Sequence, residues 1–180
     1  MLAHGKYAIN KMIPKIYSKN NDIDEIEVAE IIKEICQKYD LPLFTKEIVI
    51  EKGVVPHSHP ILTLNTRVKD KRSLLATLVH EQFHWYAQNH PKYNECVSYL
   101  KSKYEDDGEH NKSGTYPNSY WEHIIVCFNT RNYLKSFLSS EDLEWIYEQW
   151  QPYPALENLI VQRYKEVQVD LERFNTIFVK

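Results

Sequence analysis

Four glycines in 180 residues narrow the fold more than any other single feature of this chain. Glu, Lys, Leu and Ile are plentiful instead. These side chains give up little freedom in a helix, whereas glycine gives up the most backbone freedom there. The chain is therefore expected to be mainly helical. Hydrophobic residues make up 43% of it, enough to bury a sizeable core, and the length suits one domain over residues 1–180.

The hydrophobic pattern places the elements. Apolar positions at Ile26, Ala29, Ile32 and Cys36, with charges between, predict an amphipathic helix from Asp24 to about Tyr39, ended by Leu41–Pro42. Glu47–Glu51 reads as a strand closed by Gly53. Ile61–Thr66, alternating and β-branched, reads as a second strand. Asp70 caps a helix through Leu74, Leu75, Leu78, Val79 and Tyr86 that stops near Asn89, and Pro91 opens a shorter one to about Tyr104. The polar stretch 105–118 is a loop long enough to be functional. A helix follows from about Tyr120 to Phe137. Ser139 caps another, with Asp142 completing a capping-box variant, and Tyr153–Pro154 opens a last long helix to about Phe174. The expected class is α+β, with five or six helices on a small sheet.

Composition removes several classes of function. The net charge is −3 with both signs interspersed, and the longest basic run, Lys69–Arg72, is short and interrupted, so no nucleic-acid partner is expected. Cys36, Cys96 and Cys127 are odd in number and widely spaced, which fits a reducing compartment rather than a disulfide framework. No stretch has the apolar length of a membrane span, and Met1–Lys6 has no signal-peptide character, so a cytoplasmic protein is expected.

The chemistry concentrates in His80–Glu81–Gln82–Phe83–His84. Residues four apart lie on one helix face, so His80 and His84 can share a metal ion, and Glu81, about 100° around the helix, stands beside the ion's open position. From there its carboxylate can take a proton from water. Leu75–Trp85, which contains this motif, resembles the active-site helix of the zincin metallopeptidases. Ile61–Thr66 resembles the zincin edge strand that binds peptide substrates in extended form. The resemblance implies a zincin-like domain, a Zn²⁺ cofactor, His80 and His84 as ligands, and Glu81 as the catalytic carboxylate. The implied reaction is hydrolysis of a peptide or small peptide-like amide by a zinc-activated water that Glu81 deprotonates.

A catalytic zinc takes a third protein ligand, and the sequence offers three. His90 would complete a pattern similar to the metzincin signature, but Ala87 stands where that pattern has the turn-permitting glycine, and the Met-turn is missing. Glu122 and His123 lie on the downstream helix, an arrangement similar to the gluzincins, in which Glu122 would be the usual carboxylate. His123 is preferred, because neutral imidazole is the commonest metal ligand. Tyr153, Tyr120 and Tyr116 are candidates for a donor to the transition-state oxyanion, with Tyr153 taken forward. His57 and His59 read as loop residues, His110 as an exposed one, and Cys127 as a small buried hydrophobe. The rival reading is a non-catalytic, zinc-stabilised helical interaction protein, which would close its metal site with four protein ligands.

Overall fold

The computed structural model describes residues 14–104, 118–149 and 153–179. Three strands, β1 (Lys15–Ser18), β2 (Glu47–Ile50) and β3 (Leu62–Leu64), form one parallel sheet in that order. Their register pairs Ile16 with Ile48 and Ile48 with Leu62. Seven helices complete the described fold: α1 (Ile23–Lys38), α2 (Lys71–Gln88), α3 (Tyr93–Tyr104), α4 (Asn118–Lys135), α5 (Ser140–Gln149), α6 (Pro154–Gln162) and α7 (Tyr164–Arg173). The molecule is mainly helical with a small sheet, as its scarce glycine implies. Among the described residues no helix is long and apolar enough to cross a membrane.

Local chemistry accounts for the helix starts. The Asp22 carboxylate accepts from Asp24 N at the head of α1, and Asp70 accepts from Arg72 N and Ser73 N at the head of α2. Ahead of α5, Ser139 Oγ accepts from Asp142 N, the first half of the expected box, while the Asp142 carboxylate accepts from the Ser139 hydroxyl rather than from its backbone N–H.

Three expectations fail in detail. β1 was not expected at all. The second strand is only Leu62–Leu64, and it does not alternate: all three residues are buried, as are Ile48, Val49 and Ile50 of β2. A parallel sheet covered on both faces needs a continuous apolar run rather than an alternating one. The long final helix is two helices. The chain leaves helical geometry at Arg163 (φ −116°, ψ 31°), where the guanidinium bonds Glu166 and packs over the Tyr104 ring. The stretch 105–117, with His110 and Tyr116, lies outside the described residues.

α2 and α4 form the centre. Leu75, Leu78, Val79 and Phe83 of α2 are buried together with Trp121, Ile124, Ile125 and Phe128 of α4. α2 also packs against α1, α5 and β3, so it is enclosed on most of its circumference. The part left open carries Thr77, His80, Glu81, His84 and Gln88, and that face looks into a cavity.

Candidate metal centre

His80 and His84 come to one place because they are one turn apart on α2, and His123 reaches them from α4, the helix packed alongside. The ring centroids lie 5.0 Å (His80–His84), 5.6 Å (His80–His123) and 4.7 Å (His84–His123) apart. One ligand atom from each falls within 4.8 Å of the others, and all three residues are buried. A tetrahedral ion with bonds of about 2.0–2.1 Å holds its nitrogens roughly 3.4 Å apart, so small ring movements would close the set on it. Burial, and then the repulsion of any charge on His84 and His123, hold the His80 pKa well below its ordinary value. That imidazole stays neutral, the form in which it donates a lone pair. The donor set therefore fits a borderline-soft divalent cation such as zinc.

Glu122 stands beside this set. Its Oε1 lies 2.7 Å from His84 Nδ1 and accepts from Gln88 Nε2, while Oε2 accepts from the Tyr93 hydroxyl at 2.6 Å. Burial alone would raise its pKa, but the His84 and Tyr93 hydrogen bonds outweigh burial and hold the carboxyl below its usual range. An ionised carboxylate at Nδ1 makes that nitrogen the protonated one and leaves Nε2 of His84 as the lone-pair donor. Of the three candidates for the third ligand, then, His123 joins the histidine cluster and Glu122 sits behind His84. His90 lies past the end of α2, where its N–H bonds Ala87 O and its Nδ1 accepts from Lys92 N.

A cavity of about 540 Å³ opens over the cluster. Glu81 and Tyr153 line it with the three histidines. Glu81 is nearly buried, and that burial pushes its pKa up to about 7, against the opposing pull of His84 and His57 and with a small further push from Glu122. A dication among the imidazoles would draw it down again. The Tyr153 ring packs 3.7 Å from the His123 ring, centroid to centroid. Its phenol is pushed up to about 12, first by burial and then by neighbouring acids, so it keeps its proton as a donor. Tyr120 packs against Trp121 and Tyr153 and is not part of the cavity wall.

The opposite wall is Val55, Pro56, His57 and Ser58, read from the sequence only as a loop. It is pinned at both ends. His57 N donates to Thr63 O at 3.0 Å, and Thr63 N donates to His57 O at 2.8 Å. Trp85 Nε1 donates to Ser58 O at 2.8 Å, and the His59 ring stacks on Trp85 at 4.1 Å. Sequence reasoning also missed Gln88 and Tyr93 as partners of Glu122. The Gln88 signal was present, since 80, 84 and 88 share a helix face. Tyr93 carried none, because its role depends on how α3 docks. Cys127 is fully buried, its thiol raised well above the usual range by burial and then by Glu157, as befits a packing residue.

The arrangement is thus a three-histidine candidate metal centre with an adjoining buried carboxylate. Compared with protein-family models, curated proteins and solved structures, the chain matches none.

Proposed function

We propose that this protein is a zinc-dependent hydrolase that cleaves a peptide or small peptide-like amide, with His80, His84 and His123 as ligands and Glu81 as general base. One observation carries the reading: three buried imidazoles converge on a cavity whose wall also holds a nearly buried carboxylate one residue from the first of them. The cluster offers three ligand atoms among the described residues, the number of protein ligands a catalytic zinc takes. When bound, zinc supplies a Lewis acid for the attacking water and the substrate carbonyl.

The chain's own groups supply the rest. Glu81, shielded from solvent beside the histidines, accepts the proton of the attacking water and returns it to the leaving amine. Tyr153, protonated throughout the physiological range, donates to the oxyanion. Glu122 holds His84 in the required tautomer and orientation, so the ring pays little to bind.

Metal content by mass spectrometry, on wild type and on His84→Ala, His123→Ala and Glu81→Gln, tests this reading. The expected result is about one zinc per chain in wild type and in Glu81→Gln, with loss in both histidine variants. Glu81→Gln should also lose about a hundredfold or more of any amide turnover while keeping its ion. A wild type that holds no stoichiometric metal after zinc is supplied removes the hydrolase reading.

A further inference from the structure

The outer edge of β3 is where an extended substrate would add as a further strand. That edge is already satisfied within the chain. Thr63 directs both its backbone groups outward, and both are bonded to His57. Ile61 O accepts from Thr63 Oγ1 at 3.0 Å. The Asn65 side chain holds Val54 O at 3.2 Å and accepts from Arg67 N. The segment 54–60 therefore lies where a substrate backbone would lie, and the Trp85 contacts to Ser58 and His59 fix its far end to α2.

The cavity behind this segment has the volume of a small-molecule site, for which roughly 300–1,000 Å³ is usual. Among its described lining residues there is no Lys or Arg. Val55 and Pro56 present an apolar rim, with Val55 69% exposed.

We propose that the centre acts on short peptides or small amides, seated in the cavity without strand addition, and that the 54–60 strap sets this limit by occupying the edge of β3 in place of a long substrate. This rests on the hydrolase reading, and names its substrate class. It departs from the expectation that Ile61–Thr66 serves as a substrate-pairing edge.

The experiment uses zinc-loaded full-length protein and N-acetylated peptide hydroxamates of two and eight residues, whose hydroxamate chelates the ion. Calorimetry gives affinities, and hydrogen exchange follows the His57 and Thr63 amides. The expected result is that the two-residue probe binds, that the eight-residue probe gains less than threefold, and that both amides stay protected in either complex. Trp85→Leu, which frees the strap, should raise the affinity of the long probe at least fivefold relative to the short one. His59→Ala, which removes the stack and the Ser58 Oγ–His59 Nδ1 hydrogen bond but keeps the Trp85 bond to Ser58 O, should move the ratio the same way by less and guards against misfolding of the Trp85 variant. Tenfold tighter binding of the long probe to wild type, with loss of protection at His57, would overturn the proposal, as would a short probe that fails to bind. Either result leaves one zinc per chain and so spares the metal centre. A chain that takes up no zinc overturns both.

Discussion

Two buried carboxylates, one at each end of α3, are held by three donor residues each and do different work. Asp170 on α7 accepts from Tyr99, Lys103 and Tyr104 at 2.6–2.8 Å. Glu122 on α4 accepts from Tyr93, Gln88 and His84 at 2.6–3.1 Å. Both are almost inaccessible to solvent. The donors around Asp170 are two tyrosine hydroxyls and Lys103, whose ammonium also pairs with Glu166 at 2.9 Å, and none of them lines the cavity, so the cluster pins α3 to α7. Among the donors to Glu122 is an imidazole, which has a second nitrogen to spare, and that nitrogen belongs to a ring facing the cavity. The same device is scaffolding in one place and site architecture in the other. What separates them is whether a donor has something left to offer.

This contrast can be broken most forcefully at Asp170. Asp170→Ala leaves the buried Tyr104 hydroxyl without its acceptor and the Lys103 ammonium with Glu166 alone, and should cost about 3 kcal/mol of stability. Urea denaturation reads that loss, and zinc affinity measured below the transition should be unchanged. If zinc affinity falls along with stability, the two clusters are not separable.

Glu122→Ala gives the converse. Zinc affinity should fall about 10–100-fold, as is typical when a ligand histidine loses its carboxylate partner. Chelator competition measures it. The change in stability of the zinc-free protein should be smaller than at Asp170. Unchanged zinc affinity would demote Glu122 to the same structural role as Asp170.

A third buried carboxylate, Glu25 in the first turn of α1, sharpens the comparison through pH. Burial pushes its pKa up, but Lys52 N, Asn20 N, Asn20 Nδ2 and Ser18 Oγ together prevail and bring it down to about 2 from an ordinary 4.5. A folded-state pKa below the unfolded one means the contribution is complete above about pH 4.5 and is lost as pH falls towards 2. Wild type should therefore lose more of its urea midpoint between pH 5 and pH 3 than Glu25→Gln does. Equal losses would show that these four bonds do not favour the charged form.

How far the sequence revealed this molecule depended on the range of the forces involved. Helix starts at Asp70 and Ser139 were legible because a cap is made within three residues. His80, Glu81 and His84 were legible for the same reason, as one turn of helix fixes their relation. β1 was not, because Lys15–Ser18 is four residues long and exists only by pairing with β2, some thirty positions on. The break at Arg163 carries no glycine or proline and depends on side chains from α3 and α7. Glu122 and His123 could not be told apart by periodicity, since α4 is buried on nearly all sides and has no solvent face to set the phase. The strap over β3 was read as a loop because its partners, Thr63 and Trp85, meet it only in the folded chain.

The placement of the histidines on two helices has one more consequence. His80 and His84 ride on α2 and His123 on α4, the two helices whose apolar sides make the centre of the interior. An ion gripped by both is a caliper set across the core. Because close-packed interiors transmit strain, on the proposed reading a substitution that shifts these helices apart should register as weakened metal uptake even when it lies far from the cleft. Affinity for the ion is then also a gauge of how well the interior is built.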